Sequence, residues 1–75
     1  MNRQELIEIF KRARANGLSV CVEVTIPGQD DTEYIINKPN SLDNKLAYYC
    51  KAYDENLVHC MNDRIKIVNA EQIHF

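Results

Sequence analysis

Between Leu18 and Ile26 apolar and polar residues alternate without a break, with Leu18, Val20, Val22, Val24 and Ile26 set against Ser19, Cys21, Glu23 and Thr25. A period of two over this length predicts a strand with one face buried. Upstream the period is helical: Leu6, Ile7, Phe10 and Ala13 form one apolar stripe. Asn2 is placed to cap that helix, Glu5 to close a capping box three residues on, and Asn16-Gly17 to stop it in a left-handed turn. The first helix is therefore expected from about Arg3 to Ala15.

After the strand, Pro27-Gly28-Gln29-Asp30-Asp31 is turn chemistry, and Thr32 to Asn37 (TEYIIN) is rich in strand formers, which predicts a hairpin with a longer loop. Lys38-Pro39-Asn40 ends it. Ser41 then stands at the cap position of a second helix, along which Leu42, Leu46, Tyr49, Cys50, Tyr53 and Leu57 share a stripe. Because Leu57 continues the stripe, the helix is expected to reach His59 or Cys60. The alternative is that Leu57 to Met61 starts a strand that pairs with Ile65 to Val68 across Asn62-Asp63. Arg64 to Val68 is expected as a central strand, which Gln72 to Phe75 either extends or follows as a short return strand.

The element order α-β-β-α-β, with a further strand if either alternative holds, specifies a small α+β domain. It is expected to have an antiparallel sheet of three or four strands, both helices on one face, and the last long strand beside the first. The other face is expected to carry Cys21, Glu23, Thr25, Glu33, Ile35 and Lys66. At 75 residues the chain holds one domain, since either half alone buries too little apolar surface.

Charge and composition narrow the picture mainly by exclusion. The formal net charge of −2 gives no field that draws nucleic acid to the whole molecule. Only two Gly and two Pro, with apolar and charged residues in ordinary proportion, argue for a folded chain. The opening MNRQELIEIF has no long apolar run behind a basic segment, and no stretch nears the roughly 20 apolar residues of a membrane span. No membrane association is expected, and the location expected is the cytoplasm.

Candidate chemistry is sparse. Cys21, Cys50 and Cys60 lack CxxC spacing and are read as reduced, largely buried thiols. With His59 they have the ligand types of zinc, but on one continuous helix Cys50 and Cys60 stand about 15 Å apart, too far to share a metal. No phosphate-binding glycine loop, GxSxG or HExxH occurs. No catalytic residue, metal or cofactor is therefore assigned, and the chain is read as a non-enzyme. Two charged groups remain. Asp30, Asp31 and Glu33, with Glu23, make the hairpin acidic, as suits a finger that competes for a basic groove on a partner. Lys11, Arg12 and Arg14 put positive charge at the end of the first helix, where the macrodipole favours it, and offer phosphate contacts as the alternative. Tyr48 lies off the helical stripe and is a candidate interface anchor.

The C-terminal half, with KLAYY, KAYDENL, IKIV and the final Phe75, resembles the tails of small phage and prophage proteins of Gram-positive bacteria. In size and layout a capped helix followed by an acidic hairpin is similar to compact anti-CRISPR proteins. The resemblance implies an accessory protein inside the infected bacterial cell that binds a host protein, with counter-defence inhibition as one such role. On that expectation Asp30, Asp31, Glu33 and Tyr48 meet the partner. The rival expectations are nucleic-acid binding through Lys11, Arg12 and Arg14, and self-association as a homodimer through a strand edge or the second helix.

Overall fold

A computed structural model describes residues 1–74. Its elements are α1 (Arg3–Asn16), β1 (Ser19–Thr25), β2 (Glu33–Asn37), a 3-10 turn (Pro39–Ser41), α2 (Leu42–Ala52), β3 (Val58–His59) and β4 (Asn62–Ile73). The four strands form an antiparallel sheet in the order β2-β1-β4-β3, which is the expected α+β architecture with the last strand beside the first.

The start of α1 is held as the sequence predicts. The Asn2 side chain accepts from the Glu5 amide at 2.9 Å, and the Glu5 carboxylate accepts from the Asn2 amide at 3.2 Å. Gly17 ends the helix at φ 68°, and its amide reaches back to the Ala13 and Arg14 carbonyls. The apolar side of α1 buries Leu6, Phe10 and Ala13 against Val20, Val22 and Val24 of β1 and Ile67 and Ala70 of β4. Leu42 and Tyr49 of α2 close the same core. A side-chain clamp joins the layers: the buried Asn37 amide donates to the Val20 and Ile35 carbonyls, and its oxygen accepts from the Tyr49 hydroxyl. Both donors and the oxygen of the Asn37 amide thus have a partner, as burial requires.

Three expectations are corrected. First, α2 ends at Ala52 and does not reach His59 or Cys60. Tyr53 turns extended (φ −119°, ψ 148°), and the Asp54 carboxylate accepts from the amides of Asn56 and Val58, which builds a turn. Leu57 enters the core from that turn at φ 62°, fully buried, so its place on the helical stripe is met by tertiary packing and not by helix. The strand alternative for this region holds in part: only Val58 and His59 form a strand, and it turns at Cys60-Met61 instead of Asn62-Asp63, since His59 already pairs with Asn62. Second, the open sheet face carries Tyr34 and Ile36, not Glu33 and Ile35, because Glu23 pairs with Tyr34 and Cys21 with Ile36. A shift of one residue exchanges the faces of a strand, and Ile35 instead packs at the edge of the core. Third, Ser41 makes no cap bond to α2; its hydroxyl donates to the Lys38 carbonyl within the 3-10 turn.

β4 is longer than the expected Arg64 to Val68. It pairs with β1 as far as Ile73, with a bulge opposite Glu23 and Val24. Of the segment Gln72 to Phe75, the first two residues extend this strand; Phe75 lies outside the described residues.

Candidate functional site

The β3–β4 hairpin leans against the second half of α2, held by the Cys60 amide donating to the Ala52 carbonyl at 2.9 Å and by a bridge between Tyr53 and His59. The His59 ring meets Tyr53 edge to face at 5.1 Å, and its Nδ1 accepts from the Met61 amide at 3.0 Å, which fixes the turn. Between helix and hairpin lies an open groove of about 400 Å³ lined by Tyr48, Lys51, Ala52, His59, Cys60 and Met61. Met61 is 88% exposed at the hairpin tip and Tyr48 is 51% exposed on the helix. Two large apolar side chains thus flank a small, carbon-rich depression.

Tyr48 is oriented by contacts on both sides. Its ring stands edge to face with Tyr49 at 5.5 Å, and the Lys45 ammonium lies 5.5 Å from its centre. Lys51 places one positive charge in the helical wall of the groove. Next to Tyr48, burial pushes the hydroxyls of Tyr49 and Tyr53 above their ordinary pKa, and the neighbouring tyrosines push the same way, while the Asn37 bond pulls Tyr49 back in part. Tyr49 and Tyr53 therefore stay neutral at neutral pH.

The acidic hairpin is a separate surface. Asp30, Asp31 and Glu33 are all exposed, and Glu23 beside them accepts from the Thr32 hydroxyl at 2.6 Å. No hydrogen bond or ring contact among the described residues joins Tyr48 to this turn. Two basic residues of α1 face carboxylates of their own chain: Arg12 lies 4.0 Å from Glu8 and Arg14 lies 3.4 Å from Asp43. Lys11 borders a shallow depression with Phe10, Leu42 and Leu46.

The argument that kept Cys50 and Cys60 apart on one straight helix does not hold, since the chain reverses at Asp54. Among the described residues no three His, Cys, Asp or Glu side chains converge in a way that would hold a metal. Burial, with Glu71 and Glu23 nearby, raises the pKa of the Cys21 thiol and keeps it protonated and poorly nucleophilic. No described helix is long and apolar enough to cross a membrane.

Sequence reasoning singled out Tyr48 and missed Met61, His59 and Lys51 as its neighbours. The signal for them was Asp54-Glu55-Asn56, a run of turn formers that interrupts the apolar stripe. No protein-family description matches the chain, and neither a curated protein nor a solved structure is significantly similar to it.

Proposed function

We propose that this chain is a non-enzymatic protein-binding module that takes an apolar side chain of its partner into the groove between α2 and the β3–β4 hairpin. The observation that carries the reading is Met61, 88% exposed at the tip of a turn whose backbone is held by His59 and Cys60. A flexible thioether on a fixed turn is a favourable contact surface, since it adapts to varied side chains at little cost. Tyr48 supplies the aromatic anchor opposite. With Lys51 in its lining, and Lys45 against the Tyr48 ring, the partner segment is one in which a leucine-like residue stands next to a carboxylate.

The phage-protein resemblance supports a setting in which an accessory protein from a phage or mobile element engages a bacterial host protein, with inhibition of a defence factor as one such role. Nucleic-acid binding through Lys11, Arg12 and Arg14 is less favoured, because Glu8 and Asp43 already offset two of the three charges. The acidic turn of Asp30, Asp31 and Glu33 is the rival contact for a protein partner, and it demands a basic one.

Panning of a displayed random peptide library against the immobilised protein separates these readings. The groove predicts enrichment of peptides with an apolar residue next to Asp or Glu, and loss of that enrichment with Met61→Lys. Selection of Lys- and Arg-rich peptides, lost instead with Asp30→Lys and Asp31→Lys, would move the site to the hairpin and overturn the groove.

A further inference from the structure

The two edges of the sheet are built differently. On one side β3 is only two residues long and carries a register shift between Val58 and His59, the usual means by which an edge is kept from pairing with another chain. On the other side β2 runs regularly for five residues against β1, with no bulge, no proline and no lysine between Glu33 and Asn37. Its outer side is free of any strand among the described residues, since β2 is terminal in the sheet order. It also carries exposed apolar side chains on the open face, with Tyr34 66% and Ile36 38% accessible.

We propose that β2 pairs antiparallel with β2 of a second copy, about a two-fold axis through Ile35, so that two four-stranded sheets join into one. The occupant is specified by the strand's own residue order. For the two sheets to be continuous with matching faces, the axis must pass through a residue pair; Asn37 is already covered by its own chain, and Ile35 is the one centre that sets the exposed Tyr34 and Ile36 opposite each other. In that register Tyr34 stands opposite Ile36 of the second copy, an aromatic and β-branched pair of the favourable kind. Ile35 meets its own counterpart at the margin of the core, where each is only partly buried by its own chain. Glu33 stands opposite Asn37 and is kept from the other Glu33 by the length of the strand. Centring on Tyr34 or Ile36 loses the Tyr34–Ile36 pair and sets Glu33 against Ile35, or Ile35 against Asn37.

The interface is small, in the class below about 1,200 Å² that associates weakly. Dimerisation is accordingly expected to be weak and concentration-dependent. This inference uses a different surface from the α2–hairpin groove and stands or falls separately.

The test uses the whole chain with Cys21→Ala, Cys50→Ala and Cys60→Ser, to which Tyr34→Cys or Ile36→Cys is added. Under mild oxidation the register predicts a disulfide-linked dimer when the two variants are mixed, and little from either alone. Sedimentation of the wild-type chain should show a concentration-dependent dimer, weakened about tenfold or more by Ile36→Lys with an unchanged circular dichroism spectrum. Equal self-linking of each single variant, no linking in the mixture, or a wild-type chain that stays monomeric at several hundred micromolar would each overturn the proposal.

Discussion

The α1–β1 unit and the segment from Tyr53 to Met61 are held in place by different kinds of force. The first is specified from within: Asn2 and Glu5 close one end of the helix, Gly17 the other, and strict alternation then sets the strand. The second adds to its own Asp54 turn contacts that come from outside the segment. Arg3 donates to the Tyr53 carbonyl and its amide to the Glu55 carbonyl, Leu57 is drawn fully into the core, and the Ile67 amide donates to the Leu57 carbonyl. Local signals thus suffice for the scaffold, while the turn that leads into the hairpin wall of the groove needs both Asp54 and tertiary contacts. A surface for binding is free to sit where the backbone is least constrained by its own sequence.

The largest effect expected is that of Val22→Asp. Val22 is fully buried in the shared core, so an unpaired carboxylate there should abolish cooperative unfolding altogether. A normal melting curve would show that the core lies elsewhere.

Next comes Leu57, where the comparison is sharpest. Leu57→Ala is expected to cost about 3 kcal/mol for the lost packing. Leu57→Gly should cost no more than that, because glycine accepts φ 62° without strain. In a helix the order reverses, with glycine about 1 kcal/mol worse than alanine. Urea denaturation of the two variants distinguishes a tertiary turn from a helical residue.

That experiment also marks how far the fold was legible. Caps, alternation and the α+β order were readable because each is a local pattern with one physical solution. The end of α2 was not, because Leu57 satisfies the helical stripe and the buried turn equally well, and only the Asp54 carboxylate and Arg3 decide between them. The face exchange in β2 has a similar origin. Tyr34, Ile35 and Ile36 are all apolar, so no alternation fixes which of them point inward, and the inward position of Asn37 is secured by Tyr49, Val20 and Ile35. Of the candidate site, Tyr48 was legible from its place off the stripe, whereas Met61 required the hairpin.

Tyr49→Phe should cost about 1–2 kcal/mol, since it leaves the buried Asn37 oxygen without its donor. It should also alter the alkaline limb of stability. Burial raises the Tyr49 pKa in the folded state, so its contribution is complete below the ordinary value near 10 and is lost as pH rises through the folded value. The phenylalanine variant should therefore lose stability less steeply above pH 10, as read from urea midpoints against pH; an identical slope would mean that Tyr49 does not titrate with unfolding.

The smallest of these effects is Gly17→Ala. A methyl group there meets nothing within 4 Å, so the cost of about 1 kcal/mol is that of the left-handed backbone alone. A loss several times larger would mean that the end of α1 depends on more than its local cap.

The groove itself is tested most directly by methyl NMR of the methionines, of which the chain has two, Met1 and Met61. On titration with the tightest peptide from the library selection, the Met61 methyl resonance should shift or broaden while Met1 stays in place. A saturating peptide that leaves Met61 unmoved would contradict the assignment of the α2–hairpin groove as the binding site.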